Sequence, residues 1–185
     1  IKSICEENGL PLHLDGARVF NALTETQMEP KTYGRFYDSI SLCLSKGLGA
    51  PIGSVLVGSS PFIAKARRKR KVLGGGMRQA GIIAAAGLFA LKNNVERLKE
   101  DHENAQRLTL ILKDLSWVES ILPVETNIIV VSVKAPARRD EIIESLRKEG
   151  LLCIAFGPGM IRFVTHLNID RSMVEQACRI LKKIK

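Results

Sequence analysis

Aromatic residues are scarce: one Trp, two Tyr and six Phe make up 5% of the 185 residues. The four cysteines, Cys5, Cys43, Cys153 and Cys178, are scattered, with no close pair and no metal-ligand spacing. That pattern argues against a disulfide framework and a zinc site, and for reduced structural thiols in an intracellular protein, cytoplasmic or mitochondrial. Cys43 and Cys153 lie in apolar runs, where a thiol is expected to behave as a small hydrophobe. No apolar run approaches the ~20 residues of a membrane span, and no low-complexity tract or internal repeat is present. The three histidines, His13, His102 and His166, form no triad pattern with Ser and Asp and no metal cluster. His102 is expected on an exposed helix face. A phosphate loop ending in Gly-Lys-Ser/Thr is missing, and so is a Gly-x-Gly-x-x-Gly between strand and helix. The first nine residues read as the last turns of an amphipathic helix stopped by Asn8-Gly9 rather than as a secretory leader. The chain is therefore expected to begin inside a structural element, as a portion of something longer.

What is present is an ordinary globular composition, 45% hydrophobic and 25% charged, with a formal net charge of +9. Its length suits one domain or parts of two. Lys65-Ala66-Arg67-Arg68-Lys69-Arg70-Lys71 alone supplies six positive charges. Such a run can serve nucleic acid or act as a nuclear address. No aromatic platform and no helix-turn-helix, zinc-finger or RNA-binding signature accompanies it. A solvated helix face that attracts an anionic ligand is the better reading, with no nucleic-acid and no membrane partner.

Hydrophobic periodicity and turn residues predict strands at 10–14, 38–44 and 52–57, helices at 17–24 and 61–71, and a helical turn at 32–37. A long helical stretch runs from 78 to about 113, with a break or crossover at Asn93-Asn94. Its first part, rich in Ala and Gly, is expected to be buried between layers. Beyond Trp117 the order becomes strand 127–133, helix 139–148, strand 151–156, strand 160–165 and helix 170–183, typical of a small α+β domain beside a larger α/β one.

Two apolar runs end in charged groups followed by glycine: Leu12-His13-Leu14-Asp15-Gly16-Ala17-Arg18 and Leu42-Cys43-Leu44-Ser45-Lys46-Gly47-Leu48-Gly49. A lysine and an aspartate at neighbouring strand ends are what pyridoxal phosphate (PLP) requires: an amine for its aldehyde and a carboxylate for its protonated ring nitrogen. Each alone is ordinary. A strand-end lysine commonly reaches for solvent, Asp15 can serve as a helix N-cap, and Arg18 can simply neutralise it. Arg162, alternating with apolar neighbours, is either an edge-strand arginine or a bidentate fork for a carboxylate. Lys71 and Arg78 flank Leu73-Gly74-Gly75-Gly76-Met77, whose backbone amides ahead of a helix make a seat for an anion.

Taken in order, His13 to Arg18, Cys43 to Ser54, Leu73 to Gly81, Leu98 to Ala105 and Arg162 to His166 resemble the low-specificity L-threonine aldolases, PLP enzymes of the aspartate-aminotransferase fold. The resemblance implies an α/β fold class: the C-terminal part of a fold-type-I large domain over residues 1–93, and a small α+β C-terminal domain with its connecting helix over 94–185. It implies Lys46 as the Schiff-base lysine, Asp15 as the partner of the ring nitrogen, Lys71 and Arg78 near the cofactor phosphate, and Arg18 and Arg162 on the substrate carboxylate. Lys71 and Arg78 would serve the chain's own site or a neighbouring subunit's, in a homodimer or homotetramer. The implied reaction is retro-aldol cleavage of L-threonine or L-allo-threonine to glycine and acetaldehyde, with no metal. Members of that family carry about as much chain again before this point, so the 185 residues alone are expected to be incomplete and inactive. The alternatives are another fold-type-I enzyme, a β-eliminating lyase or a serine hydroxymethyltransferase-like protein, and a non-catalytic truncated paralogue acting through protein contacts.

Overall fold

In the computed structural model, residues 1–184 are described, and they form two compact units. The first unit, Ile1–Glu96, holds α1 (Lys2–Glu7), β1 (His13–Gly16), α2 (Val19–Thr26), α3 (Pro30–Gly34), β2 (Ser39–Cys43), β3 (Ser54–Gly58), α4 (Ser60–Val72) and α5 (Gly81–Asn93). Its sheet has the order β1-β2-β3, with β1 parallel and β3 antiparallel to the central β2. The second unit begins at Arg97 and holds α6 (Leu98–Leu112), β4 (Val118–Ile121), β5 (Ile128–Val133), α7 (Arg139–Lys148), β6 (Ile154–Ala155), β7 (Met160–Val164) and α8 (Arg171–Leu181). Its four strands are antiparallel, in the order β4-β5-β7-β6.

The second unit closes a core. Alternating residues Ile129, Val131 and Val133 of β5 and Ile161 and Phe163 of β7 turn one sheet face towards the helices. Against that face pack Leu108 and Leu112 of α6, Ile142 and Leu146 of α7, and Val174, Ala177 and Leu181 of α8, at helical spacings. The start of α8 is fixed by Asp170, whose carboxylate accepts from the Met173 amide at 2.8 Å. His102, expected on an exposed face, is buried. It lies in a polar stretch of α6 with Asp101 and Asn104, because the ends of β5 and β7 bring backbone groups that need partners there. Thr165 Oγ1 donates to the Asp101 carbonyl at 2.6 Å, Asn127 Nδ2 donates to the Thr165 carbonyl at 2.8 Å, and Arg97 pairs with the Asp101 carboxylate at 2.6 Å.

The first unit is open. Leu44, Leu48, Ala50 and Ala90 are buried, and a Cβ on Gly87 would stand 2.9 Å from Leu44 Cδ1, so α5 approaches that side chain closely at one point. Burial of the 80–87 stretch is not what the structure has: within α5 only Gly87 and Ala90 are buried, while Ile82, Leu88 and Phe89 are 80%, 57% and 64% exposed. Apolar composition marks a surface that favours burial and does not supply the layer that buries it. The long helix expected from 78 begins at Gly81 and is split, α5 ending at Asn93 and α6 starting at Leu98. Asn94 stays with the first unit, its Nδ2 donating to the Leu48 carbonyl at 2.7 Å. No helix among the described residues is long and apolar enough to cross a membrane.

The two units should respond differently to truncation of the same side chain. Leu146→Ala, at a position 0% exposed, is expected to cost about 2–5 kcal/mol in urea unfolding. Leu88→Ala on exposed α5 should change stability by less than about 0.5 kcal/mol.

Candidate functional site

The parallel pair β1–β2 sets the site. Its register places Asp15 opposite Ser41 and Gly16 opposite Leu42, so both strands run out at the same, C-terminal, edge of the sheet. In open α/β sheets that edge is where ligands bind. At the opposite edge, the Asp38 carboxylate accepts from the Leu12 amide at 2.8 Å and from Lys2 Nζ at 3.2 Å. Those two donors, the Leu12 amide first, hold its carboxyl below the usual carboxylate range. His13 and Ser39, the first aligned pair, are joined through Nδ1 and Oγ at 2.8 Å. Gly16 is required where it stands, since a Cβ there would lie 2.8 Å from the Ser41 carbonyl oxygen and 3.0 Å from Ile40 Cγ2.

Asp15 is exposed, and its Oδ1 accepts from the Ala17 amide at 3.2 Å. It is not the N-cap of α2, a place taken by Arg18. Arg18 makes no ion pair among the described residues, so it does not neutralise Asp15. Lys46 leaves the end of β2 on the loop 44–53, exposed and with no acidic partner among the described residues. The loop itself is tied down. Leu44 donates to the Gly53 carbonyl at 3.0 Å, Ala50 to Leu44 at 3.0 Å and Gly49 to Lys46 at 2.9 Å, while Leu44, Leu48 and Ala50 are buried beneath. Gly49 and Gly53, at φ 72° and 115°, take conformations in which a Cβ is strained. The amine is therefore carried on a braced turn and surrounded by small residues.

Cys43, expected to act as an inert hydrophobe, differs from that reading. Burial pushes its thiol up, but hydrogen bonding from Ser45, the charge of Lys46 and a further bond from Ser54 outweigh this and leave it more acidic than an ordinary cysteine. Cys153 matches the expectation, its thiol pushed up by burial to about 11.

Lys71 lies in the last turn of α4, and Arg78 follows the glycine loop. That loop folds back on the helix: Gly75 donates to the Arg70 carbonyl at 2.8 Å, and a Cβ on Gly76 would meet Lys71 Cδ at 2.7 Å. Between Asp38 and Glu96 the chain has nine Lys and Arg and no acidic residue, so this stretch carries as much charge as the net +9 of the whole chain. The cations of α4 are all exposed and have no ion pair among the described residues. Arg162 belongs to the second unit, on β7 opposite Val130 and Ile154. The first unit thus gathers Asp15, Arg18 and Lys46 at one sheet edge and holds Lys71 and Arg78 on a separate helix and loop. No group of three or more His, Cys, Asp and Glu among the described residues is arranged to hold a metal.

The lowered Cys43 thiol has a direct check. Iodoacetamide at pH 8 is expected to alkylate Cys43 well before Cys153, read by peptide mass mapping, and equal rates would contradict the acidification described.

The sequence and the fold resemble those of known proteins. The beta-eliminating lyase family model matches residues 1–136. A low-specificity L-threonine aldolase of Escherichia coli (strain K12) is 42% identical over 170 residues, 92% of this chain and 50% of the relative. The chain spans about half the length of the curated relatives it matches. Among solved structures, a threonine aldolase of Leishmania major aligns with a TM-score of 0.80 at 19% identity, over 98% of this chain and 54% of that one. An N-acetylornithine aminotransferase of Stenotrophomonas maltophilia aligns at 0.69 and 19% identity, over 99% and 49%. The fold is the mixed α/β, fold-type-I architecture of these threonine aldolase and aminotransferase structures. By its sequence match and by this fold, the chain belongs to the beta-eliminating lyase family.

Proposed function

We propose that this chain supplies the lysine-bearing part of a PLP site in an aldehyde-lyase that cleaves L-threonine or L-allo-threonine to glycine and acetaldehyde. The observation that carries the reading is the placement of Asp15 and Lys46 at one edge of adjacent parallel strands, each exposed and without an ion-pair partner among the described residues. The residues suit the group. An amine and a carboxylate with no ion-pair partner among the described residues stand at neighbouring strand ends, small residues 47, 49, 50 and 53 leave room beside the amine, and an acid-free cationic stretch follows.

Lys46 would hold the cofactor aldehyde through Nζ, and Asp15 would keep a proton on the ring nitrogen by accepting it in a hydrogen bond. Lys71 and Arg78, in the same or a neighbouring subunit, would meet the phosphate. When bound, PLP provides the sink for the electron pair released at the substrate Cα. Arg18 and Arg162 would grip the substrate carboxylate and so set which Cα bond stands ready to break. The large domain would correspond to residues 1–93 and the small one to 94–185. A homodimer or homotetramer would cover the exposed apolar face of α5 and the exposed Val55, Leu56 and Val57 of β3.

The family match favours β-elimination from a β-substituted amino acid as a second reading. A non-catalytic role is the weaker alternative, because it needs neither Lys46 nor Asp15. Acetaldehyde release, followed through an alcohol dehydrogenase and NADH, decides between them. In the complete enzyme, L-threonine is expected to turn over, Lys46→Ala to abolish turnover, and Asp15→Asn to lower kcat/KM by a factor on the order of 10²–10⁴. The 185 residues assayed alone with PLP should release none. Pyruvate or ammonia from β-substituted amino acids, with no acetaldehyde from threonine, would replace the aldolase reading with the eliminating one.

A further inference from the structure

Arg162 is oriented in an unusual way. It is half-buried, its Nε is buried without a hydrogen-bond acceptor, and it forms no ion pair among the described residues. Among the described residues its specific partner is Phe156, with the guanidinium carbon 5.5 Å from the ring centroid. The two residues are diagonal neighbours across the β6–β7 hairpin. Ile154 stands opposite Arg162, Ala155 opposite Ile161, and the Phe156 amide donates to the Met160 carbonyl at 2.9 Å. Side chains at 154, 156, 160 and 162 therefore share one face, and a diagonal aromatic is within reach of a long side chain.

The ring is held by its backbone. Gly157 and Gly159, at φ 66° and 64°, turn the hairpin. Arg139 Nη1 donates to the Gly157 carbonyl at 2.7 Å, and a Cβ on Gly159 would strike Pro136 at 2.8 Å.

We propose that Phe156 is a positioning residue that holds the Arg162 guanidinium against its ring and leaves the guanidinium's N–H donors without a protein acceptor among the described residues, for a substrate carboxylate. This inference rests on the reading of Arg162 given under the proposed function. The physical logic lies in what orients an arginine. A carboxylate neighbour would fix the guanidinium but use up the donors that make its fork. An aromatic ring attracts the cation through its π face and uses none of them. Without the ring, the long side chain keeps its rotamer freedom and loses it only when the substrate binds.

The test uses Phe156→Leu, Phe156→Tyr and Arg162→Ala, each checked for folding by circular dichroism. In the turnover-competent PLP holoenzyme, Phe156→Leu is expected to raise KM for L-threonine about tenfold with kcat nearly unchanged. Phe156→Tyr should restore KM, and Arg162→Ala should raise it further. The second readout needs no turnover. In the ¹⁵N spectrum of the 185-residue chain, the Arg162 Nε–H resonance should move in Phe156→Leu, which removes the ring current, and return in Phe156→Tyr. A KM and an Nε–H resonance both unchanged in Phe156→Leu, with Arg162→Ala still impaired, overturn the positioning role and leave the site reading standing. Failure of tyrosine to restore KM likewise overturns it, since a role in packing alone then suffices. An Arg162→Ala enzyme with normal KM overturns the carboxylate role of Arg162 and this inference with it.

Discussion

The parallel ladder between β1 and β2 is the constraint on which the rest of the site depends. Its register alone determines that Asp15 and Lys46 leave the sheet at the same edge, although their strands end far apart in sequence, at Gly16 and Cys43. A slip of one residue would turn each side chain to the opposite face. Two features resist such a slip. At one end Asp38 ties Leu12 and Lys2 to the start of β2. At the other, Gly16 lets β1 pass so close to the Ser41 carbonyl that no side chain fits. Those contacts involve no catalytic chemistry, yet without them the amine and the carboxylate have no fixed relation.

The two units solve the burial problem differently, and the difference bears on function. The second has a closed core, one sheet face covered by three helices, with Asp101, Asn127 and Thr165 satisfying the buried strand ends. The first leaves β3 and most of α5 exposed while bracing the Lys46 loop with Leu44, Leu48 and Ala50. Most of the first unit's buried hydrophobic residues thus lie at the turn that carries the amine. The open surfaces around it suit burial against further polypeptide, consistent with a chain that spans about half the length of its relatives.

Much of the site was legible in sequence because strand ends announce themselves. An apolar run that stops at Asp15-Gly16 or at Ser45-Lys46-Gly47 marks both the element and its exit, and the strands expected over 10–14 and 38–44 end at Gly16 and Cys43. Other features depend on information that periodicity lacks. The apolar start of α5 reads as buried, because composition reports what a surface favours and not what covers it. His102 reads as exposed, because a polar helix gives no sign that strand ends converge on it. β4, missed in the sequence, is a short edge strand with Glu119 and Ser120 exposed and a register shift beside them. β6, expected over 151–156, is two residues long and lies at the sheet edge, paired with β7. The role of Phe156 was invisible, because a diagonal pair needs the hairpin register before it can be recognised. Cys43 looked inert because its acidifying neighbours include Ser54, which only the antiparallel pairing with β3 brings opposite it.

The central claim is that Lys46, at the edge it shares with Asp15, is the amine that binds the cofactor aldehyde. Reduction of the PLP-treated protein with borohydride, followed by digestion and mass mapping of the pyridoxyl label, tests it most directly. The account predicts a single dominant label on Lys46, lost in Lys46→Ala and reduced in Asp15→Asn. A dominant label on Lys71, Lys92 or another lysine, or no label on a folded protein, would contradict it.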